Sequence, residues 1–173
     1  MNEAQEEAFL EAFRAHQGAL FRHAFFRLTD RERALELTQD AFMKAWDYVR
    51  AGGDVRSPKS FLYRVLNNLI VDEYRRKKTL SLDSMMEASA PAAEALFAEG
   101  SVWEVEETAD RGVMVEKVKV AVQKLPENYR TAVIMRFMDG LTPKEIAKTL
   151  QCTENVVSVR LHRAVSRLRE MLT

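Results

Sequence analysis

Thr142-Pro143-Lys144-Glu145 leaves the chain little conformational freedom. The Thr142 hydroxyl can accept from the backbone N–H three residues on, and Glu145 can reach back to the Thr142 N–H. Pro143 takes the first helical position, where its missing N–H would have had no helical partner. A helix therefore starts at Pro143 and runs to Leu150. Gln151-Cys152 turns the chain, and Thr153 can cap a last helix to about Met171. A helix of eight residues, a tight turn and a longer helix form a helix-turn-helix pattern. In the longer helix Val157, Leu161, Ala164, Val165, Leu168 and Leu172 share one side. Asn155, Val159, His162, Arg163 and Ser166 point the opposite way, flanked by Arg160 and Arg167. As a major-groove helix this face makes sense: Arg163 can pair bidentately with guanine, and Val159 can touch a thymine methyl. The competing reading is a helical hairpin with an Arg-rich outer face.

The rest of the chain also reads as helix, so the expected class is all-α. Six Gly and four Pro are too few for a strand-and-turn protein of 173 residues. Phe9, Phe13, Leu20, Phe21, Ala24, Phe25 and Leu28 recur at spacings near three and four, which predicts a helix over 3–28. Asp30 can cap a second helix over about 31–49, with Ala34, Leu37, Ala41, Phe42, Ala45 and Trp46 as its apolar residues. Gly52-Gly53-Asp54 ends it and opens a loop to Lys59. Ser57-Pro58 starts a third helix to about Lys77 or Lys78. Leu62, Val65, Leu66, Leu69 and Tyr74 lie on or near one side of it, with Arg64, Asn67, Asn68, Arg75 and Lys78 on the other. That second face is either a solvated surface with cations at a helix C-terminus, or a nucleic-acid surface. In the second case Arg and Lys hold phosphates and the Asn amides read base edges. Beyond the middle of the chain, Val113–Lys124 reads as a short amphipathic helix. Pro126 starts another, whose buried stripe is Tyr129, Ala132, Val133 and Phe137 and whose end is Asp139-Gly140.

A formal net charge of zero conceals three segments. Residues 1–78 hold 14 basic and 12 acidic side chains, residues 79–112 hold 1 and 8, and residues 113–173 hold 11 and 6. The organisation expected is two small helical domains, 1–78 and 113–173, joined by an acidic linker, 79–112. Short helical pieces are expected around 92–97 and 102–107. Leu80, Leu82, Leu96, Phe97 and Trp103 mark places where the linker docks on something. As a flexible chain it would span roughly 30–35 Å.

Several classes fall away. One Cys excludes a disulfide scaffold and a multi-cysteine zinc site, and Cys152 reads as a small packed residue. His16 and His23 stand two turns apart with no third ligand, so no metal is expected. Neither a nucleophile-elbow nor a phosphate-cradling glycine pattern is present, so neither enzyme activity nor a cofactor is expected. No apolar run reaches the length of a membrane span, and the acidic N-terminus lacks a signal-peptide pattern, so a cytoplasmic protein without membrane insertion is expected.

Three stretches together resemble a family. The run 34–46, ALELTQDAFMKAW, is similar to the polymerase-docking helix of bacterial sigma factors of the extracytoplasmic-function type. The run 60–76, SFLYRVLNNLIVDEYRR, resembles their −10 helix. Gly140–Ala147 followed by Arg160–Ala164 resembles their −35 helix-turn-helix. The resemblance implies a promoter-specificity subunit whose partners are core RNA polymerase, promoter DNA and an anti-sigma factor. It implies core-polymerase binding by Glu36, Gln39 and Asp40, with Phe42 and Trp46 packed beneath. It implies −10 binding by Asn68, with loop 51–59 receiving a flipped base; the polar face of that helix adds Arg64, Asn67, Arg75 and Lys78 to the expected −10 set. It implies −35 binding by Arg160 and Arg163; the outward face of that helix adds Asn155, Ser158, Val159 and His162 to the expected −35 set. Phe61 stands where the family usually has Trp, Asn67 where a basic residue is common, and Gln151 where a turn glycine is frequent. The alternative is a stand-alone helix-turn-helix regulator with an N-terminal sensor or dimerisation domain.

Overall fold

The computed structural model describes residues 3–83 and 109–173. Every regular element among the described residues is helical: α1 (Glu3–Leu28), α2 (Arg31–Arg50), α3 (Pro58–Asp83), α4 (Ala109–Gln123), α5 (Glu127–Val133), α6 (Pro143–Leu150) and α7 (Glu154–Leu172). The caps that set these boundaries are those the sequence spells out. The Asp30 carboxylate accepts from Arg33 N at 3.0 Å, and Thr153 Oγ1 accepts from Val156 N at 3.3 Å. Both halves of the Thr142–Glu145 capping box form. Two helices run further than expected. No Gly or Pro stands between Lys78 and Asp83, so α3 continues to Asp83, and α4 begins at Ala109 rather than Val113. The expected pieces at 92–97 and 102–107, and the docking of Leu96, Phe97 and Trp103, lie outside the described residues, as do the side chains of Leu80 and Leu82.

Helices α1, α2 and α3 pack as a bundle around Leu20, Ala24, Leu37, Ala41, Leu62 and Leu66. Phe42 and Trp46 stack on Phe9 with ring centroids about 6.0 Å away, and Phe13 closes on Phe42 at 4.2 Å. Both therefore lie beneath the exposed face of α2, as the resemblance implies. Each buried large apolar side chain contributes about 1.5–3 kcal/mol. A second cluster, Val122, Leu125, Val133, Ile134 and Ala164, joins α4, α5 and α7. Cys152 packs at the α6–α7 turn, in the role expected of it.

One expectation fails at α5. Spacing predicts a buried stripe of Tyr129, Ala132, Val133 and Phe137, but Phe137 is 64% exposed and Met135 is fully buried. Residues Ile134–Met138 form a π-helical turn, closed by Asp139 N donating to Ile134 O at 3.0 Å. Thr131–Met135 are buried in succession, with Met135 in the α1–α3 cluster and Val133 and Ile134 in the α4–α7 cluster, while Phe137, in the wider turn, stays outside. Pro126, expected as the first helical residue, stands one position earlier, as the cap before Glu127.

The two helical groups pack against each other. Helix α6 packs against α3, and Met135, Leu141, Ile146, Ala147 and Val157 join the apolar cluster of α1–α3.

Candidate nucleic-acid interface

Helix α7 presents the first surface. Val157 and Ala164 are buried, and Leu161, Val165 and Leu168 are half-buried, so its apolar side is committed to the fold. Asn155, Ser158, Val159, His162 and Arg163 are exposed on the other side. Arg160 is half-buried beside them. The turn that aims this helix depends on Gln151, which sits in left-handed geometry (φ 53°, ψ 46°) and lets Cys152 N reach Ala147 O at 3.0 Å. An L side chain there costs about 1–2 kcal/mol.

Helix α2 presents the second. Glu36, Gln39 and Asp40 are exposed along it, with Leu35 and Met43 about half exposed beside them. Glu36 also pairs with Arg33 at 2.6 Å.

Helix α3 presents the third, and here structure and sequence part. Arg75 and Lys78 are exposed, as is Asn68, and Arg64 is half-buried. Asn67, expected on the open face, is only 8% exposed and accepts from Arg27 Nη1 at 2.6 Å. Tyr63, Ile70 and Glu73 are buried too, which a two-faced reading of this helix did not anticipate. α6 packs against α3, and Arg27 of α1 takes the Asn67 side chain, while Asn68, Arg75 and Lys78 stay open. Glu73 is held between Arg33 at 2.7 Å and Arg76 at 2.9 Å. The Arg33 hydrogen bond is the main reason its carboxyl stays below the usual carboxylate range.

An aromatic ladder that sequence reasoning missed lies beside loop 51–59. Tyr48, nearly half exposed, stacks on Phe61 with centroids 5.1 Å apart, and the Arg64 guanidinium lies 5.2 Å over the Phe61 ring. A Cβ on Gly53 would meet the Tyr48 ring at 2.2 Å, so the glycine is what lets the loop close over that ring. The signal was available: Tyr48 is aromatic and falls next to the Gly52-Gly53 stop rather than on the apolar stripe of α2.

Also missed was the polar set at the junction of the two groups. His23 is fully buried, and its Nδ1 lies 2.7 Å from Asp139 Oδ2. Tyr63 packs edge-on to the His23 ring, with its hydroxyl near Asp139 but outside hydrogen-bond geometry. Burial first, and the Asp139 charge second, push the Tyr63 phenol up. Arg27, 3% exposed, donates to Asn67 and to Glu127, and its backbone carbonyl accepts from Tyr74 Oη. Gln123 Nε2 donates to Phe26 O at 2.7 Å. Arg27, Asn67, Glu127, Leu150 and Arg160 line a crevice of about 330 Å³ between the groups. No cluster of His, Cys, Asp or Glu suited to a metal ion occurs among the described residues. No described helix is long and apolar enough to cross a membrane.

A helix-turn-helix with an open, arginine-bearing reading helix, beside a bundle with its own basic and aromatic face, defines a two-part DNA-reading protein. Comparison with known proteins places it more closely. Residues 12–79 match the family "Sigma-70 region 2" and residues 116–168 match "Sigma-70, region 4". The chain is 30% identical to the RNA polymerase sigma-H factor of Pseudomonas aeruginosa, over 78% of this chain and 70% of that one. It is 25% identical to the ECF RNA polymerase sigma factor SigW of Bacillus subtilis, over 99% of this chain and 92% of that one. Its fold is similar to that of the sigma factor RpoE from Bartonella quintana, solved with the anti-sigma factor NepR. That likeness has a TM-score of 0.73 at 22% identity and covers 96% and 97% of the two chains. The chain belongs to the sigma factors of the extracytoplasmic-function type. Its function is that of a promoter-specificity subunit, partnering core RNA polymerase and promoter DNA in transcription initiation. The stand-alone regulator reading gives way, because the N-terminal bundle is a sigma region 2 rather than a sensor.

Proposed function

We propose a residue-level division of this work. Asn155, Ser158, Val159, Arg160, His162 and Arg163 on α7 read the −35 duplex from the major groove. Arg64, Asn67, Asn68, Arg75 and Lys78 take the −10 strand, with loop 51–59 receiving an unpaired base. Glu36, Gln39 and Asp40 dock on core polymerase. Residues 1–78 thus serve polymerase and −10, residues 113–173 serve −35, and the acidic stretch 79–112 connects them.

The observation that carries this reading is the exposure pattern of α7: its apolar side is spent on the fold, and what remains outside is a polar row centred on Arg163. The Tyr48–Phe61–Arg64 ladder supports the −10 assignment. Unstacking a base costs a few kcal/mol, and stacking on an aromatic recovers about 1–3 kcal/mol per base. Since the sigma factor RpoE of Bartonella quintana was solved with the anti-sigma factor NepR, an anti-sigma factor is the expected regulator here. The site of action is the cytoplasm, where polymerase and promoter are.

The test is run-off transcription with purified core polymerase on a template carrying the gene's own upstream region. Arg163→Ala should lower initiation about tenfold or more, and base substitutions within −35 should then matter less. Asn68→Ala should leave −35 preference intact and slow strand opening. Unchanged promoter preference in Arg163→Ala would remove the −35 assignment.

A further inference from the structure

We propose that Tyr48 is the stacking residue of the −10 site: the unpaired base received by loop 51–59 lies on the Tyr48 ring, and Phe61 is the support beneath that ring rather than the platform itself. The inference rests on the base-receiving role given to the loop above, and adds which side chain meets the base and that its ligand is an unpaired nucleobase of any kind.

Tyr48 belongs to the last turn of α2, which ends at Arg50. Leu37, Ala41, Ala45 and Val49 form the buried side of that helix, and Tyr48 falls off it, 47% exposed. A large ring left half in water gains little from the fold, yet this one is fixed by two neighbours. Gly52 takes φ 89°, so the chain reverses directly after the helix, and Gly53 N donates to Tyr48 O at 2.9 Å. The Gly53 backbone is thereby brought against the Tyr48 ring, so closely that no side chain fits between them. Phe61, in the first turn of α3, packs on the same ring with centroids 5.1 Å apart and planes inclined at 38°.

Phe61 is the second aromatic here, but it is half-buried and already has two partners, the Tyr48 ring and the Arg64 guanidinium 5.2 Å from its centroid. The open aromatic surface beside the loop is therefore that of Tyr48. Its surroundings suit a single strand of DNA. Arg50 and Arg56 are exposed on either side of the two glycines, and Arg64 stands beside Phe61. Arg56 pairs with Asp54 at 3.5 Å, but both are exposed, so the pair is weak and a phosphate can take the guanidinium. Cations that follow a strand past a fixed ring are the composition of a single-strand site. A ring held in advance loses little freedom when a base stacks on it, and every base has a π-face. Tyr48 thus supplies grip, and base identity is left to hydrogen-bonding groups such as Asn68.

The experiment uses holoenzyme assembled from the full chain and core polymerase. The probe is a fluorescein-labelled single strand carrying the non-template −10 sequence of the gene's own upstream region. Anisotropy gives its affinity, first with every base present and then with an abasic site moved through each position in turn. The wild type should show one position at which loss of the base weakens binding about tenfold. Tyr48→Ala should weaken the intact strand by a similar factor, yet cause no further loss when that position is abasic, because the ring then has no base to meet. Tyr48→Phe keeps the ring and should bind as the wild type does. Equal loss from Tyr48→Ala on the intact and the abasic strand, or no loss on either, overturns the stacking role and leaves the loop as base receiver. Binding by Tyr48→Phe as weak as that of Tyr48→Ala overturns it as well. If no position is sensitive in the wild type, the loop captures no base, and the stacking role falls together with the reading it rests on.

Discussion

Gln151 shows how much one backbone conformation can carry. Its left-handed geometry ends α6 and sets the angle at which α7 leaves the fold, yet the residue has a Cβ and bears the strain. Gln151→Gly should stabilise the protein by about 1 kcal/mol, since glycine adopts that region freely. Calorimetry should show Tm rising by about 2–4 °C. Thr142 and Glu145 work at the other end of α6. The Thr142 backbone N–H is the main reason the Glu145 carboxyl stays below its ordinary value, and Arg33 has the same effect on Glu73. A depressed carboxyl contributes stability that is fully present above its unfolded value, 4.5 here, and lost as pH falls through the lower folded value. Denaturant midpoints should therefore drop as pH is taken from about 5 to 3. Glu145→Gln should lessen that slope; an unaltered slope would show that the capping box has no part in it.

At the scale of elements, α5 and its π-helical turn decide which side of the chain faces inward. Sequence periodicity assumes one angular step per residue, and five residues of wider turn break that assumption without any Gly or Pro to announce it. The consequence is testable with two substitutions. Met135→Ala removes a fully buried side chain and should cost about 2–5 kcal/mol. Phe137→Ser changes a residue 64% exposed and should stay within about 0.5 kcal/mol in urea unfolding. The reverse ranking would mean that Phe137, not Met135, is the residue packed into the core. Helix α3 shows the complementary case. Its start and its Leu62–Leu66 side were legible from spacing, whereas the burial of Asn67 and Glu73 was not, because their partners Arg27 and Arg33 come from α1 and α2, 40 positions earlier in the chain.

For the whole molecule, the shared apolar cluster makes the two helical groups one cooperative unit while closed. Thermal unfolding of the wild type should be a single transition with matching calorimetric and van't Hoff enthalpies. Two transitions in the wild type would mean that the junction adds no cooperativity.

Sequence alone determined the helical class, the caps at Asp30, Thr142 and Thr153, the helix-turn-helix, the acidic middle and the family, because each rests on neighbours within a turn or two of the chain. Asp30 reaches three residues and Glu145 reaches three back, so spacing is enough to read them. Only tertiary structure decided that Asn67 is sheltered, that Tyr48 and Phe61 stack beside the loop, and that His23 meets Asp139 across 116 positions. Nothing local distinguishes a histidine bound for water from one bound for a carboxylate in another helix. That difference is made by packing geometry, which no periodicity encodes.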